Sequence, residues 1–247
     1  MHRHFGFILA TAIALLTPVQ AARAGLVTFI GEDLQPNPGA TVRTNSDLAA
    51  TAFRTAAQGI GPVGTINFES APLGAFTNLT VATGVTMNGT DAFGAAQTIR
   101  NTSGSPMFPS LDGSNTTAGG SQFVEMQAGT LTFTFAQPTQ YFGAYLTGVQ
   151  TTFFNDSVNF SDGTSQSITL GGVGTSSTRG EIAFIGFTDA GKSITSITIN
   201  TGNQSGGDFI GVDDVSFQAV PEPSSLLLCG IAGATAVAVA RVRRNRR

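Results

Sequence analysis

The feature that most constrains the fold is an alternation of apolar and polar residues along the middle of the chain. It is clearest in residues 131–135 (LTFTF) and in residues 194–199 (ITSITI). A period of two residues sends one set of side chains into a core and the other set into water. Both segments are therefore predicted to be half-buried β-strands.

Further runs rich in Thr, Val, Ile and Phe, separated by turn residues, predict more strands. The total is about ten, and the predicted fold class is all-β, a jelly-roll-like β-sandwich. The further strands are expected at residues 26–30, 65–69, 79–87, 123–126, 141–147, 151–160, 165–170, 182–188 and 209–218.

One short helix is predicted near the start of this domain, at about residues 46–57. Asn45 or Ser46 can cap it, apolar residues recur at helical spacing around Phe53, and Gly59 ends it.

Turn-forming residues predict the main connections between the strands. Gly31-Glu32-Asp33 is expected to begin a loop, where the two carboxylates are either metal ligands or soluble loop charges. Residues 101–120 are expected to form a long polar loop. Asp162-Gly163 predicts a tight hairpin, because the left-handed backbone that such a turn requires suits an Asp-Gly pair.

The first 24 residues have the layout of a signal peptide. A positively charged start precedes an apolar run at residues 5–16, and Ala22 and Ala24 are small residues at the positions that signal peptidase reads. Cleavage is expected after Ala24, which leaves Gly25 as the mature N-terminus. The alternative is an uncleaved anchor, but the apolar run is shorter than the roughly 20 residues that a membrane-spanning helix needs.

The other end of the chain predicts a transmembrane helix at residues 224–240. Small residues along it suit docking against another membrane protein, and a plain single-span anchor is the alternative. A basic cluster after the helix is expected to act as a stop-transfer signal that holds this end in the cytoplasm. The cluster consists of Arg241, Arg243, Arg244, Arg246 and Arg247.

Three features stand in order at this end: Pro221-Glu222-Pro223, the apolar helix and the arginine cluster. Together, over residues 220–247, they resemble the PEP-CTERM sorting signal of Gram-negative bacteria. The resemblance implies recognition by an exosortase in the inner membrane, cleavage near the Pro-Glu-Pro motif, and transfer to the cell surface or extracellular polysaccharide. The precursor would be anchored in the inner membrane with its domain in the periplasm.

The segment between the two ends, residues 25–219, is expected to be one domain. Five basic residues against fourteen acidic ones give it a formal charge of −9. A nucleic acid is therefore not an expected partner.

The mature domain contains no His, Cys or Trp, because His2 and His4 lie in the signal peptide and Cys229 lies in the tail helix. Catalysis by Ser-His-Asp or Cys-His groups and ordinary zinc sites are excluded. Only carboxylate chemistry or oxygen-ligated metals remain. No carboxylate pair stands out as a glycosidase pair, so the protein is not expected to be an enzyme.

Several stretches resemble ectodomains that precede this sorting signal, which are themselves similar to carbohydrate-binding jelly rolls. They are residues 67–69, 141–145, 184–188 and 209–215. In such domains a carboxylate ending the first strand and an acidic pair in the last strand often hold calcium.

The resemblance therefore implies calcium, the one candidate cofactor, at Glu69, Asp213 and Asp214, with Asp208 as a further ligand. Asp213 and Asp214 point to opposite faces of a regular strand, so at most one of them would face inward. The alternative is that Asp214 is solvated and Asp213 accepts backbone hydrogen bonds.

Tyr141 and Tyr145 are the two phenolic candidates for contact with a glycan. Because they are four residues apart, they face the same side of a strand. They form either a small sugar-binding platform or an edge of the core.

The function predicted from sequence is that of an exported, non-enzymatic surface or extracellular-matrix protein with a structural or adhesive role in exopolysaccharide or biofilm. The alternative is a calcium-dependent, lectin-like glycan-binding module. A carboxylate glycan hydrolase is the third possibility.

Overall fold

The computed structural model describes residues 25–35, 43–91, 93–102, 112–127, 129–149, 156–168, 170, 180–189, 191, 193–200 and 209–219. Several predictions from the sequence concern residues outside these ranges. They are the signal peptide with Ala22 and Ala24, the Pro221–Pro223 motif, the tail helix, the arginine cluster and Asp208. Within them, no helix combines the length and apolar character needed to cross a membrane.

The described chain contains one helix and fourteen strands. The helix is α1 (Thr44–Gln58). The strands are β1 (Val27–Gln35), β2 (Val63–Ile66), β3 (Gly74–Phe76), β4 (Asn78–Ala82), β5 (Val85–Thr90), β6 (Gln97–Arg100), β7 (Phe123–Gln127), β8 (Thr130–Thr139), β9 (Tyr141–Val149), β10 (Asp156–Phe160), β11 (Ser165–Ile168), β12 (Gly180–Thr188), β13 (Ile194–Asn200) and β14 (Phe209–Gln218).

The strands form two antiparallel sheets that share one core. The large sheet has the order β1-β12-β9-β14-β7-β6-β3, with β2 also paired to β14, and the small sheet has the order β11-β10-β13-β8-β5-β4. Buried residues of both sheets, such as Phe133 on β8 and Phe142 on β9, pack together, with ring centroids 5.4 Å apart. The prediction of an all-β, sandwich-like fold is confirmed.

The strand count differs from the predicted number of about ten. The single strand predicted at residues 79–87 is two strands, β4 and β5, because Gly84 has a φ of +74° and turns the chain back. The strands β3 and β6 were not predicted, since each spans four residues or fewer and is too short to show alternation. The hairpin at Asp162-Gly163 is confirmed: β10 pairs with β11, and Gly163 has a φ of +82°.

Helix α1 packs on the outer face of the large sheet, the face turned away from the small sheet. Its Phe53 is fully buried against Tyr141 and Phe184. Gly143 and Gly186 lie beneath the ring, and a Cβ atom at either position would stand within 3 Å of Phe53. Glycine at these two positions therefore lets the helix approach the sheet.

The predicted helix is confirmed, but its cap was not foreseen. Asn45 and Ser46 lie inside the helix, and the capping carboxylate belongs to Asp33. Asp33 accepts hydrogen bonds from the backbone N–H groups of Asn45 (3.0 Å) and Ser46 (2.8 Å) and from the Ser46 hydroxyl (2.7 Å). Burial by itself raises the pKa of Asp33, but these hydrogen bonds lower it below the usual value. The loop predicted at residues 31–33 is instead part of β1, where Asp33 is held in place to cap the helix.

Candidate functional site

The acidic pair Asp213-Asp214 lies where β14 changes its neighbour in the large sheet. On one side, residues 209–212 pair with β7 and residues 215–218 pair with β2, so the acidic pair falls between the two ladders. On the other side the register with β9 shifts between Asp213 and Ser216. Asp214 has a left-handed φ of +46°. This is a β-bulge, which bends the strand and re-aims its side chains.

Because of the bulge, both carboxylates reach the same two threonines. Asp213 Oδ2 accepts hydrogen bonds from the backbone N–H groups of Thr116 (2.7 Å) and Thr117 (3.1 Å). The hydroxyls of the same threonines donate to Asp214, at 3.0 and 2.7 Å. The expectation that the two carboxylates point to opposite faces is wrong, since it assumed a regular strand.

A sequence signal for the bulge exists. Ile210 and Val212 face the core, and the next core residues are Val215 and Phe217. The step from Val212 to Val215 is three residues instead of two, so the alternation changes phase across the acidic pair. A change of phase of this kind indicates an extra residue in the strand.

Residues 112–122, which we call the covering loop, extend from this pair to Glu69. Glu69 Oε1 accepts hydrogen bonds from the backbone N–H groups of Ser121 and Gln122, both at 2.8 Å, and from the Asn115 amide at 3.2 Å. The structure therefore brings Glu69, Asp213 and Asp214 to one loop. We call these three residues the acidic junction.

The first part of the covering loop lies directly on the outer face of the large sheet. Ser114 exchanges two hydrogen bonds with the Thr147 hydroxyl, at 2.8 and 2.9 Å. The Gly113 N–H donates to the carbonyl of Phe209 at 2.8 Å. A Cβ atom on Gly211 would stand 2.8 Å from the Ser114 nitrogen, so glycine is needed for this close approach.

Arg43 connects the covering loop to helix α1. Its guanidinium donates to the Thr116 carbonyl at 3.2 Å and lies 4.9 Å above the centre of the Tyr145 ring. It also pairs with Asp47 at 3.4 Å, and the Tyr145 hydroxyl donates to the same carboxylate at 2.7 Å. The helix and the loop are thus joined by one polar network.

Asp213 is the most deeply buried member of the acidic junction, with no exposed surface. Burial raises its pKa to about 6; the hydrogen bond from Thr116 opposes this shift, and the Asp214 charge adds to it. Its Oδ1 atom is buried without a hydrogen-bond partner, whereas Oδ2 is occupied by the loop.

A second buried carboxylate, Glu125, was not predicted from the sequence. It lies on β7 opposite Gly211 and is 3 % exposed. Burial raises its pKa to about 7, while the Arg100 charge lowers it and the Asp112 charge raises it further. Arg100 forms an ion pair with Glu125. A signal was available, since Glu125 is the one charged residue inside the otherwise apolar run of residues 123–126.

The two predicted glycan-contact tyrosines are in the core. Tyr141 and Tyr145 are 0 % and 2 % exposed, and they do face the same side, toward helix α1. The Tyr141 hydroxyl donates to the Pro62 carbonyl at 2.7 Å, and the Tyr145 ring packs edge-on against Phe184. Neither ring presents a face to a ligand. Their position is therefore that of core residues, which was the alternative to a sugar-binding platform.

The predicted calcium ligands fit a cation only in part. Among the described residues, no three or more His, Cys, Asp or Glu side chains are grouped closely enough to hold a metal ion. Asp213 Oδ1 is an unoccupied carboxylate oxygen, but Asp213 Oδ2 and Glu69 Oε1 already accept N–H groups. Calcium needs six to eight oxygen ligands. Calcium binding stays a prediction.

Comparison with known proteins identifies the C-terminal end of the chain. Residues 219–245 match the family described as the PEP-CTERM protein-sorting motif, which confirms the sorting signal predicted from sequence. A search of curated proteins found no match.

The protein therefore combines an all-β domain with a PEP-CTERM sorting motif. The motif supports an exported, exosortase-sorted surface protein with a membrane-anchored precursor.

Proposed function

We propose that this protein is a non-enzymatic structural component of the extracellular polysaccharide, delivered to it by exosortase processing. The observation that carries the proposal is the sorting motif at residues 219–245, directly after an all-β domain. In this proposal signal peptidase releases Gly25 as the N-terminus, residues 25–219 form one jelly-roll-like domain, and the tail is removed near Pro221, Glu222 and Pro223.

The position of the last strand supports removal of the tail. Strand β14 ends at Gln218, and the Ala219 N–H donates to the Pro62 carbonyl at 2.9 Å. The last strand is therefore complete and anchored before the Pro-Glu-Pro motif begins. Cleavage at the motif would leave every described strand in place.

The burial of the carboxylates supports a role without catalysis. Asp213, Glu125 and Asp112 are 0 %, 3 % and 5 % exposed. A glycosidase needs two carboxyl groups that reach a substrate in a cleft. Asp213 instead holds the covering loop against the sheet, and Glu125 is paired with Arg100.

Intact-mass measurement of the protein from its native host, with and without the exosortase, tests the sorting route. We expect a product that begins near Gly25 and ends near Pro221, and we expect its loss in the strain without the enzyme. Replacement of Pro221, Glu222 and Pro223 by alanine should cause the same loss, while the control Asn88→Ala should be processed normally. A chain that retains Arg247 in every strain would overturn the proposal.

The structural role needs a separate measurement. We expect the processed protein to remain with the sedimented polysaccharide and to be required for its cohesion. A matrix with unchanged cohesion in a deletion strain would contradict this role even if the processing is correct.

A second candidate function is calcium-dependent glycan binding at the acidic junction. The observation that favours it is Asp213 Oδ1, a buried carboxylate oxygen without a partner. Calorimetric titration of the protein with calcium, and then with the host exopolysaccharide, tests it. Binding that is abolished by a chelator and by Asp213→Asn, but kept in the control Asp162→Asn, would support it. Flat titrations would count against it.

A further inference from the structure

Strand β1 forms one edge of the large sheet. Within the described residues it pairs with β12 alone, so the other side of its backbone has no strand beside it. It is nine residues long, whereas the strands at the other sheet ends, β3, β4 and β11, have three, five and four residues. Natural edge strands are usually kept short, because a long free edge offers backbone donors and acceptors to another strand.

The side chains of β1 are apolar for an exposed edge. Six large apolar side chains are exposed in the described part of the chain, and three of them lie on this strand: Val27 (48 %), Leu34 (43 %) and Ile30 (39 %). Alternation places Ile30 and Leu34 on the same face as Leu26, which packs against the core between the sheets. The core-facing side of β1 is therefore open to solvent at the sheet edge, where a further strand would cover it.

This face of β1 is complementary to itself in one antiparallel register. When Ile30 of one copy lies opposite Ile30 of another, Leu26 lies opposite Leu34. In the same register Thr28 lies opposite Glu32, so a hydroxyl meets the one charge on this face. The twofold symmetry of such a pair repeats each contact, which makes the contact surface the same in both copies.

The neighbouring registers match less well. Centring the pair on residue 29 or residue 31 places Glu32 opposite Leu26 or Ile30, which sets a charge against an apolar side chain. Centring it on Glu32 places two like charges directly opposite, which destabilises a strand pair. Centring it on Thr28 leaves Leu34 with no described residue opposite it. The register centred on Ile30 is therefore favoured.

Helix α1 leaves room for this pairing on the outer face of the sheet. The helix lies close to β1, since a Cβ atom on Gly31 would stand 2.9 Å from the Ala49 Cβ atom. Ala52 and Ala56 follow at helical spacing on the same side of the helix as Ala49. The side of α1 that lies toward the edge thus carries three small side chains, and these do not obstruct the helix of a second copy.

We propose that two copies of this chain pair through β1, antiparallel and centred on Ile30, so that their large sheets join into one continuous sheet. The free backbone groups of β1 form the new ladder, and the apolar strip of each copy covers that of the other. Residues 25–219 carry a formal charge of −9, so the copies repel each other and added salt should strengthen the dimer.

Disulfide trapping on the exported full chain, purified in detergent, tests the register. Every variant also carries Cys229→Ser, because Cys229 is the one native thiol. Opposite residues of antiparallel strands have Cα atoms about 4.5–5.5 Å apart, which is within reach of a disulfide. We expect Ile30→Cys chains to form mostly disulfide-linked dimers on mild oxidation. The control Thr134→Cys, exposed on the small sheet, should stay monomeric on a non-reducing gel.

A mixed experiment checks the same register independently. Thr28→Cys and Glu32→Cys chains should each give little dimer alone, because neither position lies opposite itself. A mixture of the two, with one of them carrying an affinity tag, should give the mixed disulfide. A dimer from Glu32→Cys alone would overturn the register.

A charge on the strip tests the dimer itself. Ile30→Lys places two like charges opposite each other and should weaken association by roughly tenfold or more in analytical ultracentrifugation. The control Leu48→Lys, at a side chain that is 65 % exposed on α1, should associate like the parent chain. Circular dichroism establishes that each variant is folded.

A parent chain that is monomeric at every protein and salt concentration tested would overturn the proposal. A dimer that survives Ile30→Lys and gives no disulfide from Ile30→Cys would also overturn it, since the contact would lie elsewhere. Neither result bears on the mass of the processed chain, so failure of this proposal is distinguishable from failure of the sorting route.

Discussion

The outer face of the large sheet is covered in two different ways, and strand β9 passes beneath both covers. Tyr141, Gly143 and Tyr145 of β9 lie under helix α1, whereas Thr147 lies under the covering loop. The helix-covered region is held by packed aromatic rings, and the loop-covered region is held by carboxylates and N–H groups. The contrast shows that one sheet face can be closed by apolar packing, which is insensitive to pH, or by buried charge, which is not.

The largest expected effect is the loss of the aromatic packing in the helix-covered region. Replacement of Phe53 by alanine removes a fully buried ring and leaves a cavity, and it should lower the free energy of unfolding by about 3–5 kcal/mol. Chemical denaturation measures this change. The control Leu48→Ala, at a side chain that is 65 % exposed on the same helix, should change the stability by less than about 0.5 kcal/mol.

The pH dependence of stability sharpens the comparison. The folded-state pKa values of Asp213, about 6, and Glu125, about 7, lie above their ordinary values of 3.8 and 4.5. Groups with raised pKa values lose stability as the pH rises through the folded pKa, so lowering the pH from 8 to 5 should stabilise the protein. We expect a gain of about 1 kcal/mol from Asp213 and about 2 kcal/mol from Glu125.

Denaturation curves at several pH values test this expectation. The variants Asp213→Asn and Glu125→Gln should each reduce the slope, and the double variant should reduce it most. The control Phe53→Leu, in the helix-covered region, should lower stability equally at every pH. A parent protein that becomes less stable between pH 8 and pH 5 would contradict the assignment.

A smaller effect is expected from disturbing the contact between the covering loop and the large sheet. Alanine at Gly211 would bring a methyl group against the backbone of Ser114, and it should cost about 1–3 kcal/mol. Hydrogen exchange should accelerate at Ser114, Thr116 and Thr117 while the amides of helix α1 stay protected. The control Gly59→Ala has no contact closer than 3.3 Å and should leave exchange in the loop unchanged.

The smallest effect concerns the link between the two regions. The stacking of Arg43 on Tyr145 is partly exposed, so a double-mutant cycle with Arg43→Met and Tyr145→Leu should give a coupling of about 0.5–1 kcal/mol. A coupling near zero would show that the stacking on Tyr145 does not help to hold Arg43 in the position from which it reaches the Thr116 carbonyl of the covering loop.

Local patterns in the sequence were sufficient to predict the strands and the helix, but they were not sufficient to predict the contacts of the acidic junction. The alternation at residues 131–135 and the helical spacing around Phe53 depend on neighbours a few residues away, and both elements are present. The carboxylate sites depend on partners far along the chain. Asp213 and Thr116 are 97 residues apart, and Glu69 and Gln122 are 53 apart. No local period encodes such pairs.

The sequence by itself determined the β-rich core, the helix around Phe53 and the C-terminal sorting motif, because each depends on composition and short-range order. Only the tertiary structure decided which hydrogen-bond donors the carboxylates meet. The bulge at Asp214 arises where the strand paired with β14 changes from β7 to β2, and that change depends on how distant strands pair. The physical reason is that apolar burial follows from a residue's own position in a strand or helix, whereas a buried charge is placed by whichever distant donors the fold brings to it.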